Sequence, residues 1–198
     1  MLMVSQLEVH GLAPLSFELT AGDVLVVRGP SGSGKSLLLR AIADLDETAG
    51  VLQYDGRDKN DMAAENWREM VRYLSAESGW WHERVDAHFN DLSFARLLGR
   101  ELALADRLFA SPVSHLSSGE RQRMAFIRAL EGNPAVLLLD EPTSALDEDA
   151  AERMEGKIGA LQKEGVIFII VTHSPDQASR LATHVLTIED GVAMVERA

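Results

Sequence analysis

The residues best equipped for chemistry fall in two short stretches. The first, Val26–Arg40, reads "VVRGPSGSGKSLLLR": an apolar run, a glycine-rich turn, then an apolar helix. Its turn, Gly29–Ser36, fits G-x-x-x-x-G-K-[ST], and a place between strand and helix is the context in which that pattern cradles phosphate. Gly29, Gly32 and Gly34 let the backbone wrap an anion without Cβ clashes. Lys35 reaches the β- and γ-phosphates, and the Ser36 hydroxyl ligates Mg2+. The candidate phosphate-binding set is Gly29, Pro30, Ser31, Gly32, Ser33, Gly34, Lys35, Ser36 and Leu37. The second stretch, "AVLLLDEP", is an apolar run that ends in paired carboxylates. Ligands of an open α/β sheet sit at the C-terminal ends of its strands. Asp140 is thereby placed to hold Mg2+ or its water shell, and Glu141 to polarise a water attacking the γ-phosphate. Taken alone, the pair is a polar strand exit; beside a phosphate cradle it reads as chemistry.

The elements that must position these groups follow from hydrophobic pattern. Strand-like runs fall at Val4–Val9, Leu15–Leu19 and Val24–Arg28, broken by "HGLAP" and "TAGD". A helix is expected from Lys35 to about Asp44, "VLQY" then "DG" as strand and turn, a helix over Asn60–Met70, and a strand at Val71–Leu74. From Gly79 to about Ala110 the chain reads as a small helical insert carrying Trp80 and Trp81. A helix from Gly119 to Leu130 leads to a buried strand, Val136–Leu139. Another helix, Asp149–Lys163, precedes the β-branched strand Val166–Val171. A helix at Pro175–Ala182 and a hairpin turning at Asp190-Gly191 close the chain. Alternating strands and helices imply an α/β core with a mostly parallel sheet.

Composition narrows the function. A chain of 198 residues, 46% apolar and 25% charged, is expected to form one soluble domain. Its longest apolar runs are far shorter than the roughly 20 residues of a membrane span, and no signal peptide is expected. With no cysteine, disulfides, thiolate zinc sites and thiol nucleophiles are excluded, and a reducing, cytoplasmic setting fits. A net charge of −12 argues against nucleic-acid binding, which needs a concentrated basic surface. It does not forbid an anionic nucleotide. Surface carboxylates beyond about 8 Å are largely screened at physiological salt, whereas backbone N–H groups and Lys35 act at contact distance.

Three further stretches single out one kind of phosphate chemistry: "LSSGERQR" (Leu116–Arg123), "DEPTSALD" (Asp140–Asp147) and "VTH" (Val171–His173). With the cradle, and in this order, they resemble the ATP-binding cassette (ABC) ATPases, specifically the nucleotide-binding subunits of ABC transporters. The likeness spans essentially the whole chain. It implies a single domain over residues 1–198, a P-loop core with an antiparallel β subdomain, and a helical insert at about 79–118. It also implies ATP and Mg2+ as cofactors. Gly29–Ser36 then resembles the Walker A loop, and Asp140 with Glu141 the Walker B pair whose glutamate is catalytic. Ser117, Ser118, Gly119 and Glu120 fall in the family signature, which contacts the γ-phosphate bound on a second cassette. Ser144–Asp147 resembles the D-loop and His173 the switch histidine, so the catalytic set is Lys35, Glu141 and His173. The partners implied are a second cassette, as a homodimer, and a transmembrane permease, with membrane contact only through that permease at the inner face.

The sequence also departs from that family. Ser118 stands where glycine is usual, and Glu120 where glutamine is common. The family places an Mg2+-sensing glutamine after the strand "VRYL"; here the chain has Ala76, then Glu77. Glu77 is a substitute metal ligand or a solvated loop residue. No aromatic stands near Leu12–Pro14, where one usually stacks on adenine, so an apolar side chain would support the base. Trp80-Trp81 reads as a pair of core anchors or, if exposed, as a hot spot for docking the permease. Two rival functions remain: a soluble, non-transport ABC ATPase, and a regulatory module that binds ATP without turnover. A P-loop kinase leaves "LSSGE" and "SALD" unexplained.

Overall fold

Ten strands divide between two sheets in the computed structural model, which describes residues 1–198. The smaller sheet is antiparallel, in the order β2-β1-β4-β5: β1 is Leu2–Leu7, β2 Leu15–Leu19, β4 Val51–Tyr54 and β5 Arg57–Asp58. In β2, "LSFEL", Leu15, Phe17 and Leu19 are buried while Ser16 and Glu18 are exposed. That alternation is expected of a sheet with one face in the core.

The larger sheet runs β10-β9-β3-β8-β7-β6. It contains β3 (Val24–Arg28), β6 (Val71–Leu74), β7 (Val136–Asp140), β8 (Ile167–Val171), β9 (His184–Glu189) and β10 (Val192–Arg197). All are parallel except β10, which returns from β9 through Asp190-Gly191. Its central strands, "VLVVR", "VLLLD" and "IFIIV", have no polar face because both sides are covered. Side chains two apart share a face, and the core splits accordingly. Leu25, Val27, Val136, Leu138, Ile167 and Ile169 pack with α1 (Lys35–Ile42), α2 (Ala64–Met70) and the small sheet. Val24, Val26, Leu137, Leu139, Phe168 and Ile170 pack on the opposite side. There they meet α3 (Leu92–Glu101), α4 (Ser118–Leu130), α5 (Glu148–Lys163) and α6 (Pro175–Leu181). Period two therefore assigns Asp140, two residues beyond Leu138, to the α1 face.

Two expectations need correction. The insert is less helical than the pattern suggests. Only Leu92–Glu101 forms an α-helix there, started by the Asp91 side chain accepting from the N–H groups of Ser93 and Phe94. The remainder is irregular chain and single 3-10 turns at Asp86–His88, Asp106–Ala110 and Val113–His115, closed by a bridge between Arg84 and Pro112. The expected helix Asn60–Met70 is broken as well. The Asp58 carboxylate accepts from the Asn60 N–H and caps a 3-10 turn, Lys59–Asp61. Met62 and Ala63 are extended before α2 begins. Local side-chain capping overrides propensity there.

α2 is held by Trp67, which is fully buried and donates from Nε1 to the carbonyl of Ile42 at 2.9 Å. That bond ties α2 to the last turn of α1, the helix the cradle opens. Trp67→Ala is expected to cost about 3–5 kcal/mol of unfolding free energy, and Trp67→Phe about 1–3 kcal/mol through the orphaned carbonyl. Urea denaturation monitored by circular dichroism measures both.

Candidate active site

The glycine-rich turn joins β3 to α1 and is built on left-handed backbone: φ is 154° at Gly29, 78° at Gly32 and 95° at Gly34. At Gly29 a Cβ would lie 2.7 Å from the Ile188 carbonyl oxygen and 2.8 Å from Ser33 Oγ, so no side chain fits. Lys35 is buried and folds over its own loop, donating from Nζ to the carbonyls of Gly29 (2.9 Å) and Pro30 (2.8 Å). An ammonium has three donors; the two bonds fix its position and leave one for an anion. No side chain caps α1, so the amides of Lys35, Ser36 and Leu37 have no intrahelical acceptor and carry the positive end of the helix dipole. Ser33 Oγ is buried in the loop without a partner. Pro30, Ser31, Ser36 and Leu37 are exposed around this cradle. Leu12 lies against Gly34, where a Cβ would sit 3.5 Å from Leu12 Cγ. The β1–β2 loop that carries Leu12 is pinned by the Ala13 N–H donating to Gly191 at 2.7 Å.

At the end of β7 the backbone changes hand. Asp140 is 5% exposed, and Glu141 has φ 50°, a left-handed conformation a glutamate adopts only under constraint. The constraints are visible. The Glu141 N–H donates to the Val171 carbonyl at 3.0 Å. Its own carbonyl accepts from Gln122 Nε2 at 2.7 Å and from Ser144 Oγ at 3.0 Å. Gln122, buried on α4, also accepts from the Ala145 N–H at 3.1 Å, so one side chain clamps both ends of the turn. His173, just past β8, reaches Glu141 Oε1 with Nε2 at 3.2 Å. The structure thus brings Glu141 and His173 together, and Tyr73 donates to Asp140 Oδ2 at 3.1 Å. Burial, with the Asp140 charge beside it, pushes the Tyr73 phenol well above its usual range and keeps it a donor.

The signature residues open α4. Ser117 is its N-cap: its Oγ accepts from the Glu120 N–H, and its own N–H donates to Glu120 Oε2 at 2.8 Å. Glu120 therefore completes a capping box, and Ser118 is the first helical residue. Both departures in "LSSGE" suit the helix start. Gly119 abuts the "SALD" turn, where a Cβ would lie 3.0 Å from the Ala145 carbonyl oxygen. Glu77 is exposed and lines a cavity of about 510 Å3 with Ala76, Ser118, Arg121 and Gln122. It stands beside α4 and joins no cluster of carboxylates; no group of three or more acidic or histidine side chains is arranged to hold a metal alone.

The tryptophans divide between the two readings. Trp80 is half-buried, whereas Trp81 is 65% exposed. The Arg128 guanidinium, on α4, lies 4.8 Å from the Trp80 ring and 4.7 Å from that of Trp81. His88 Nε2 accepts from the N–H groups of both Trp81 and His82 at 3.0 Å, while Nδ1 faces the Arg84 carbonyl at 2.9 Å. Two donors aimed at Nε2 require a neutral ring. Sequence reasoning missed Gln122, Tyr73 and His88. Gln122 stood within a quoted motif; the partner of Tyr73 is 67 residues away, and His88 binds main-chain N–H groups, which leave no mark in residue type.

Comparisons with known proteins agree with this geometry. A family model described as ABC transporter matches residues 12–144. The chain is 32% identical over 199 residues to the probable iron export ATP-binding protein FetA of Escherichia coli K12, covering 93% of this chain and 87% of the relative. It is 35% identical to the glutamine transport ATP-binding protein GlnQ of the same organism, covering 89% and 80%. Among solved structures it resembles a dimeric ATP-binding cassette in a post-hydrolysis state with ADP and Pi. There the TM-score is 0.85 at 22% identity, over 100% of this chain and 98% of that one. An ATP-binding subunit of an ABC transporter gives a TM-score of 0.88, also at 22% identity, over 100% and 90%. These likenesses carry the fold.

Burial holds the pKa of His88 below its usual 6.5, and the Arg128 charge acts in the same direction. The neutral ring's contribution to stability is present above pH 6.5 and is lost as pH falls through the lower folded value. Thermal melts across acid pH are expected to show that loss in the wild type, and a flatter profile in His88→Asn, whose side-chain oxygen still accepts.

Proposed function

The chain belongs to the ABC transporter family as an ATP-binding and ATP-hydrolysing subunit, and on that premise we propose that it energises a separate transmembrane permease as one half of a cassette homodimer. The observation that carries the mechanism is the hold on Glu141: a left-handed backbone fixed by Gln122, with the carboxylate in reach of His173. Gly29–Ser36 cradles the phosphates through loop and helix amides, and Lys35 reaches the β- and γ-phosphates without moving from its loop. Ser36 and Asp140 fit Mg2+. One is an exposed hydroxyl at the helix start, the other a buried carboxylate whose Oδ1 accepts no protein hydrogen bond; these two would hold the ion together with the nucleotide, since no acidic cluster provides a site alone. When bound, Mg2+ neutralises charge on the β- and γ-phosphate oxygens.

Glu141 orients a water and accepts its proton as the water attacks the γ-phosphate. His173 steadies Glu141 Oε1 and presents its other face to the phosphate. Ser117, Ser118 and Gly119 approach the nucleotide on the partner cassette, while Glu120 serves by capping their helix. Leu12 offers adenine an aliphatic surface where no aromatic is available. Glu77, exposed at the cavity beside α4, is either a further metal ligand or a solvated loop residue. Relatives named as ATP-binding proteins of export and transport support placing it at the cytoplasmic face, bound through its permease; no helix of the chain is long and apolar enough to cross a membrane. Both relatives are named for export or transport, which weighs against a soluble, non-transport ATPase, and the net charge of −12 weighs against a nucleic-acid partner.

Glu141→Gln is expected to lower phosphate release at least a hundredfold and to trap an ATP-bound dimer visible by size-exclusion chromatography. Turnover near the wild-type rate would remove Glu141 from the mechanism. Lys35→Ala is expected to abolish nucleotide binding by equilibrium titration while leaving the circular dichroism spectrum unchanged.

A further inference from the structure

We propose that Tyr73 is the positioning residue for the metal-side carboxylate Asp140, and that in this chain it provides the link from β6 that no loop glutamine supplies. The proposal rests on the reading of Asp140 given above and extends it to a residue outside every motif.

Strand register brings the two side chains together. Tyr73 lies opposite Leu138 on the neighbouring parallel strand, and Asp140 follows Leu138 by two residues. Side chains two apart share a face, and diagonal neighbours across a parallel pair are within reach of a long side chain. Both therefore stand on the α1 side of the sheet, the side of the phosphate cradle. There the phenol donates to Asp140 Oδ2 at 3.1 Å.

A carboxylate 5% exposed needs compensation, because burying an ion costs several kcal/mol unless it is paired or hydrogen-bonded. Neither cation of α1 is hydrogen-bonded to Asp140. Lys35 is bound to the carbonyls of Gly29 and Pro30. Arg40 holds Asp46 through two contacts, Nε at 2.8 Å and Nη2 at 2.6 Å. The Tyr73 hydroxyl is the one side-chain donor to Asp140; it engages Oδ2 and leaves Oδ1 without a protein hydrogen bond. Outer hydrogen bonds of this kind fix a ligating carboxylate and tune the affinity of the metal it serves.

Three residues after Tyr73 the strand gives way to Ala76-Glu77, then to Trp80-Trp81 against Arg128.

Tyr73→Phe keeps the ring and removes the donor. The test titrates Mn2+ by electron paramagnetic resonance against the protein saturated with a non-hydrolysable ATP analogue, beside metal-free analogue binding and a thermal melt. Mn2+ affinity is expected to fall about tenfold, with metal-free analogue binding unchanged. The Mg2+ concentration for half-maximal phosphate release is expected to rise in parallel. Unchanged or tighter Mn2+ affinity in a folded Tyr73→Phe variant overturns the proposal, even if the variant melts earlier. Asp140→Asn separates the two layers. If it weakens Mn2+ binding and Tyr73→Phe does not, only the role of Tyr73 fails. If Asp140→Asn leaves Mn2+ affinity intact, the underlying reading of the metal site fails with it.

Discussion

A single backbone turn governs the rest of the molecule: the end of β7, where a buried carboxylate is followed by a glutamate in left-handed conformation. A parallel strand buried along its length can deliver polar side chains to a ligand at its C-terminal end, where the sheet stops and ligands gather. Placing Asp140 on the cradle face uses the last step of strand alternation. Turning the chain at Glu141 costs about 1–3 kcal/mol of backbone strain, which persists because surrounding groups overdetermine it. Val171 accepts the amide, Gln122 and Ser144 donate to the carbonyl, and His173 meets the carboxylate.

The layers of the fold serve that turn. α1 extends from the cradle on one side of the sheet and α4 carries the signature residues on the other, with β7 between them. Gln122 belongs to α4 yet holds the Glu141 carbonyl and the Ala145 amide. The helix that begins with Ser118 is thus joined directly to the Glu141 turn and to the "SALD" stretch. Farther along α4, Arg128 packs against the two tryptophans of the insert. One helix therefore touches both the Glu141 turn and the exposed Trp81.

Much of this was legible in the sequence because it is local. The cradle, the acid pair and the strand runs are contiguous patterns, and the left-handed positions at Gly32 and Gly34 fall on glycines. The insert was misjudged because its order comes from tertiary contacts: His88 binding two amides, Arg128 stacking on Trp80 and Trp81, Arg84 bridging to Pro112. No periodicity announces those. Tyr73 was invisible for another reason: its meaning lies in strand register, which is fixed only once β6 pairs with β7. Glu120 shows the reverse case. Its departure from the family pattern is explained by a capping rule that the sequence already satisfied.

The central claim, that this ATPase drives a membrane partner, is tested most directly by recovering the tagged protein from its native cells in mild detergent and identifying what accompanies it by mass spectrometry. A stoichiometric protein with several membrane spans, whose removal leaves the cassette folded, is the expected companion. A clean soluble dimer with full ATPase activity and no membrane companion would contradict the claim.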